Sequence, residues 1–245
     1  GCKEIWITSQ DTGAYMLEQT GKIELINLLK EILSIPADFK IRLGMMNPGN
    51  TIKILDELIE LYKNPKMFKF LHIPVQSGNN EILKKMNRQY PVETFYEIVD
   101  KFRKEIPEIT ISTDMIFGFP TETQEQFEDS LNLIKKIQPE VLNRAGYALR
   151  PGTIAAKMNQ VPHDIIKQRT KEVTSVFKQL IQEKNKKWQE WQGKILIDEK
   201  GKNNQWTGRN YCYKPVIVEG NFKLGDELEV KIKKTTTFAL IGGVV

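Results

Sequence analysis

The chain has 245 residues, 40% of them hydrophobic, and a formal net charge of +5. That is enough for one large domain and a small one, each with a real core, and no apolar run approaches the length of a bilayer span. With two cysteines (Cys2, Cys212) and two histidines (His72, His163), the composition argues against a disulfide framework, a cysteine metal knuckle or a histidine-rich metal site, and predicts a soluble, reduced, cytoplasmic protein with no membrane partner.

The first 160 residues alternate between strand-like and helix-like runs. Lys3–Thr8, Phe39–Gly44, Phe68–Val75, the β-branched run from Ile109 and Val141–Leu149 read as strands. Between them, Glu24–Leu33, Thr51–Tyr62, Asn80–Met86, Val92–Glu105 and Thr123–Lys136 carry apolar residues at helical spacing. Five strands alternating with helices is the pattern of parallel βαβ units, hence an α/β fold. Chemistry in such folds collects beyond the carboxyl ends of the strands. Those ends are Ser9–Gly13, Gly44–Pro48, Gln76–Gly78, Asp114–Pro120 and Tyr147–Thr153, each polar and marked by Gly or Pro. Gly118 is expected to let backbone approach a ligand closely. Thr121 is expected to cap the following helix, with Glu122 in its first turn. Asp114, a strand-end carboxylate, needs a partner. His72, in mid-strand, reads as a hydrogen-bonded core histidine.

Charge is distributed unevenly. Residues 1–161 hold 20 Lys+Arg against 21 Asp+Glu, and residues 162–245 hold 16 against 10. Pro162–Trp191 reads as one long basic helix, with His163 and Asp164 at its capping end. Beyond it, GKILIDEK, WTGRNYCY, KPVIVEG, LGDELEVKIKK and FALIGGVV read as five short strands of an OB-like barrel. Basic charge with Trp188, Trp191 and Trp206 interleaved suits an RNA surface. The predicted domains are therefore 1–160, a linking helix 161–192 and an all-β domain 193–245.

Four stretches in order, GCKEIWITSQDTGAY, LHIPVQSGNNEILKKMNR, STDMIFGFPTETQEQFEDS and YALRPGTIAAKM, resemble the radical S-adenosylmethionine (SAM) methylthiotransferases that modify tRNA. The last 55 or so residues resemble their TRAM domain. SQDTGAY and GMMNP look most like the branch that converts N6-threonylcarbamoyladenosine, next to the anticodon, to its 2-methylthio derivative. The resemblance implies a partial radical-SAM-type (β/α) barrel lacking its first strand and helix, followed by the small TRAM barrel. It also implies S-adenosylmethionine, two 4Fe-4S clusters in the intact enzyme, an electron donor and tRNA as partners. Carried across by motif, Gln10 and Asp11 stand where the methionine amino group is held, and Gln76 and Ser77 face ribose or methionine. Thr113, Asp114, Gly118 and Phe119 line the adenosine, and Arg42 and Arg150 suit a carboxylate or RNA phosphate.

The family's CxxxCxxC segment does not occur in this sequence, so the chain as it stands is expected not to bind the radical cluster and to be inactive alone. The chain is therefore expected to be a fragment of an active enzyme, with a cluster-free RNA-binding paralogue as the alternative reading and isopentenyladenosine, or a ribosomal protein side chain, as the alternative substrate. Two further departures are Met16, where the family usually has glycine, and Asn143-Arg144-Ala145-Gly146-Tyr147 in place of Asn-Ile-Ser-Arg-aromatic.

Overall fold

The computed structural model describes residues 1–245. Five parallel strands form the first unit: β1 (Glu4–Ile7), β2 (Lys40–Leu43), β3 (Phe70–His72), β4 (Thr110–Phe117) and β5 (Val141–Gly146). β1 pairs β2, and β3, β4 and β5 pair in that order. A parallel bridge between Ile41 and Met67, with Phe68 N donating to Ile41 O at 2.9 Å, joins the two sheets into one arc. Helices α1 (Leu17–Thr20), α2 (Leu25–Ser34), α3 (Pro48–Thr51), α4 (Leu55–Tyr62), α5 (Asn80–Lys85), α6 (Val92–Glu105) and α7 (Gln124–Ile137) fill the crossovers. The core lies between their apolar stripes and the convex face of the arc. Phe95, Phe102, Phe117 and Phe127 are fully buried there, each contributing about 1.5–3 kcal/mol of transfer free energy.

The N-cap of helix α7 lies two residues later than expected. Thr123, not Thr121, is the N-cap, and Gln126 returns the bond to complete a capping box. Thr121 sits at φ 69° and its hydroxyl accepts from Lys85 Nζ at 2.7 Å. Glu122 lies before the helix and is buried. Met16, where glycine is usual in the resembling family, has φ 64°. The backbone there is left-handed, which explains why a residue without a Cβ suits the position.

The basic helix α8 (His163–Asn185) is shorter than the predicted Pro162–Trp191 and ends in a 3-10 turn at Lys186–Trp188. Asn185 stops it by donating to Thr236 O (2.9 Å) and Thr237 O (3.1 Å), and Trp188 then turns into the second core. Ile166, Arg169, Val173, Phe177 and Ile181 recur at helical spacing and bury the face that packs beside β5 and α7. Near its start Ile166 fills a notch made by two glycines. A Cβ at Gly118 would collide with Ile166 Cγ1, and one at Gly146 would lie 2.8 Å from Ile166 Cγ2. The unusual glycine of the β5 run therefore admits a β-branched side chain from α8.

Strands β6 (Gln192–Lys200), β7 (Gln205–Arg209), β8 (Pro215–Glu219), β9 (Glu227–Thr235) and β10 (Leu240–Val244) close into a barrel in the order β10-β8-β7-β6-β9. Their alternate residues, Ile195 and Ile197, Val216 and Val218, Val230 and Ile232, point inward. This barrel seats under the amino-terminal ends of β3 and β4. Lys69 N donates to Tyr211 O at 2.8 Å, Cys212 Sγ to Glu108 O at 3.0 Å, and the Phe68 and Tyr213 rings meet edge-on at 4.8 Å.

Gly118→Ala should destabilise the chain by about 2 kcal/mol, because it meets both a left-handed φ of 73° and the Ile166 side chain. Urea unfolding measures this. In a double-mutant cycle Gly118→Ala should cost less in an Ile166→Ala background than in wild type, and an equal cost in both would refute the notch.

Candidate active site

Side-chain alternation along β4 divides the candidates. Ile111, Thr113, Met115 and Phe117 point outward to the helices, while Thr110, Ser112 and Asp114 point to the concave face. Asp114 finds two partners there. His72 Nε2 lies 3.0 Å from Asp114 Oδ1, and Asn143 Nδ2 donates to the same oxygen at 2.7 Å. Burial works against the charged carboxylate. The bonds from His72 and Asn143 outweigh it, and the pKa of Asp114 lies below the ordinary aspartate range. Oδ2 is left free for a ligand. Asn143 is a site residue that the sequence reading passed over.

The rim loops are largely self-satisfied. Asp11 Oδ1 accepts from Gly13 N (3.1 Å) and Asn47 N (2.9 Å), and Oδ2 accepts from Asn50 Nδ2 (2.9 Å). Its carboxylate thus ties the loop after β1 to the loop after β2. Gln10 beside it is exposed. Ser77 is fully buried against α7, 3.5 Å from Ser130 Oγ, and accepts from Asn79 N. Thr113 donates to Ile73 O (2.8 Å) and accepts from Val75 N (3.1 Å), clamping β4 to the end of β3 on the helix side. Gln76 differs from these. It holds φ 74°, its backbone bridges β4 through Asp114 O and Ile116 N, and its side-chain amide has no partner in the chain. A non-glycine residue kept in the left-handed region at a strand end is the kind of strain that marks a functional position.

Around Gly118 the space expected for a ligand is filled by Ile166. Gly118 N donates to Glu122 Oε2 at 2.7 Å, and Arg169 Nη1 donates to the same oxygen at 2.8 Å. Burial raises the Glu122 pKa, opposed by Gly118 N–H and Arg169. Phe119 is buried edge-on against Tyr147 at 5.4 Å. Gly118, Glu122 and Phe119 therefore build the wall rather than line the cavity. Arg150 is exposed on the last rim loop.

Below the Asp114 layer, all five strands line one cavity of about 470 Å³, with Trp6, Arg42, Phe70, Thr110 and Asn143 among its walls and the small barrel as its floor. The floor contributes Lys214, whose Nζ donates to Asn185 Oδ1 at 3.0 Å and whose pKa burial lowers to about 8. Glu140, also in the wall, is neutralised by Lys184 at 2.5 Å and accepts from Ile111 N at 2.8 Å.

The chain's own residues do not fit an iron–sulfur cluster. Cys2 is exposed, and Cys212 is buried with its thiol pKa pushed up to about 12, mainly by burial. No three His, Cys, Asp or Glu side chains converge on a metal-sized site. They do suit a polar organic ligand: an anchored carboxylate with one oxygen free, unpartnered Gln10 and Gln76 amides at the rim, and a cavity of ligand size.

A parallel α/β arc with its polar layer on the concave side, followed by a small closed β-barrel, has relatives among known proteins. Residues 1–134 match the Radical SAM superfamily and residues 194–245 match the TRAM domain. The chain belongs to the radical SAM superfamily, whose members use S-adenosylmethionine and a 4Fe-4S cluster. It is 43% identical over its full length to the probable threonylcarbamoyladenosine tRNA methylthiotransferase of Pyrococcus horikoshii, covering 57% of that protein. To the threonylcarbamoyladenosine tRNA methylthiotransferase of Homo sapiens it is 37% identical, over 95% of this chain and 40% of that one. The chain spans about half the length of the curated relatives it matches. Among solved structures, coproporphyrinogen III oxidase from Escherichia coli covers 89% of this chain and is matched over 54% of its own length, at TM-score 0.50 and 18% identity. That likeness concerns the fold.

Asp114 should contribute stability above its unfolded pKa near 4 and lose it as pH falls through its lower folded value. The stability gap between wild type and Asp114→Asn should therefore close below about pH 4; a gap independent of pH would contradict the bonded carboxylate. Lys214 runs the other way. With a folded pKa of about 8 against an unfolded value of about 10.4, its burial penalty disappears as pH rises between the two. Lys214→Met should remove that rise in unfolding free energy, while Lys69, also at about 8, stays in both proteins and cancels.

Proposed function

We propose that this chain is the S-adenosylmethionine- and RNA-handling part of a tRNA methylthiotransferase that converts N6-threonylcarbamoyladenosine next to the anticodon to its 2-methylthio derivative. The observation that carries the reading is the 43% identity, over all 245 residues, to a probable threonylcarbamoyladenosine tRNA methylthiotransferase. S-adenosylmethionine, with an iron–sulfur cluster held by residues outside this chain, would supply the abstraction of hydrogen from an inert C–H bond, which side chains cannot do. On this reading both clusters are held by residues other than those of this chain, and an electron donor serves them.

The chain's residues would bind and orient. Gln10 and Gln76, with their free amides, would hold the methionine and ribose end of the cofactor at the rim. Asp114, fixed by His72 and Asn143, would accept from a hydroxyl or amine through its free Oδ2. Asp11, Ser77, Thr113, Gly118 and Phe119 would act by shaping the loops that place those groups. Arg150 on the open rim suits an RNA phosphate. The exposed lysines of β9 and α8 would supply the electrostatic grip on tRNA. The two cysteines of the chain, far apart in sequence and unsuited to a cluster, favour a second reading, an RNA-binding module without chemistry. Nucleoside mass spectrometry of tRNA from cells with and without the gene separates them: loss of the 2-methylthio nucleoside supports the enzyme, and an unchanged profile supports the module.

Exchanging Lys233 and Lys234, both exposed on β9, for alanine should weaken tRNA binding. The slope of log K against log salt should fall by about one for each phosphate no longer neutralised. A slope equal to wild type would place the RNA elsewhere.

A further inference from the structure

Arg42 is unusual among the cations of this chain. Its guanidinium carbon lies 4.5 Å from the Trp6 ring, 4.9 Å from Phe70 and 5.1 Å from Tyr213. Its Nε is buried without a partner, and it makes no ion pair. Glu4, at the edge of this cage, accepts through Oε1 from Tyr213 Oη at 2.7 Å and from Trp6 Nε1, while its Oε2 is buried without a partner and makes no ion pair with Arg42. The other cations of the cavity are satisfied: Arg209 pairs with Asp198 at 2.6 Å, Arg144 donates to Thr174 and Lys214 to Asn185. A partly buried guanidinium with no anion in ion-pair contact is costly, and cation–π contacts return only part of that cost. Three rings crowd the charge, and no hydrogen bond within the chain engages the guanidinium. A planar, two-oxygen anion matches a guanidinium's N–H edge in a bidentate fork.

The setting points the same way. Arg42 stands one layer below Asp114 on the concave face, in the cavity of about 470 Å³ lined by every strand of the arc. One ring of its cage, Tyr213, comes from the small barrel and is held at φ 60°. The strain is located where the RNA-binding domain hands an aromatic ring to the pocket.

We propose that Arg42 is a specificity residue that receives the carboxylate of the substrate nucleoside's threonylcarbamoyl side group, within a cage completed by Tyr213. This rests on the function proposed above. It assigns the recognition of a modified over an unmodified adenosine to the cavity floor, away from the rim where the cofactor would lie.

The test is equilibrium binding of two anticodon stem-loop RNAs, one with N6-threonylcarbamoyladenosine and one with adenosine at the same position. S-adenosylmethionine affinity of the cluster-loaded enzyme is measured in parallel. Wild type should prefer the modified RNA by roughly tenfold, the scale of one charge-assisted bond pair. Arg42→Gln should bring the preference to about twofold or less, with unmodified RNA and S-adenosylmethionine binding as before. Arg42→Lys, which keeps the charge without the fork, should retain part of it and carries the test if the glutamine variant does not fold. Three outcomes overturn the proposal: wild type binds both RNAs equally, Arg42→Gln weakens both equally as a phosphate contact would, or it lowers S-adenosylmethionine affinity while the preference persists. If wild type binds neither RNA, the proposed function fails first and this inference with it.

Discussion

Adjacent residues of a strand face opposite sides, and the site of this protein depends on that constraint. In β4 the alternation sends Thr113 to the helices and Asp114 to the concave face, although the two stand side by side in the sequence. The parallel register then places His72 and Asn143 on the same side, one strand away in each direction. A slip of one residue would bury the carboxylate in the apolar core and turn Met115 into the cavity. The layer of helices on the convex face enforces the register, because only one phase buries Ile111, Met115 and Phe117.

A second level of order comes from α8. Ile166 sits in the notch of Gly118 and Gly146, Arg169 reaches the buried Glu122, and Asn185 holds the loop between β9 and β10. Rim, arc and small barrel are thereby referenced to one helix. The ion pair between Arg169 and Glu122 fixes the turn after β4 more than it adds net stability, since both charges are desolvated there.

The strand and helix sequence of the first unit was legible because each element carries its own periodicity. So were the five short strands of the second. The helix ends were less so. Thr121 and Thr123 both precede the same apolar run, and only the backbone conformation decides which is the cap. The basic run to Trp191 looks helical throughout, but a contact with Thr236 and Thr237 stops it at Asn185. In the site, Asp114 announced its need for a partner and the sequence could not supply one, because His72 and Asn143 are 42 and 29 residues away. Gly118 was read as open space for a ligand and proves to be space for Ile166, 48 positions later in the sequence. The Arg42 cage required Tyr213 from another domain, and no local pattern encodes that.

The 23 residues of α8 span roughly 35 Å at 1.5 Å per residue. Anchored at both ends, the helix behaves as a strut between the strand rim and the base of the small barrel. No slack linker separates the arc and the small barrel along this path. The turn after β4 and the loop between β9 and β10 are therefore held at a fixed separation by one rigid element.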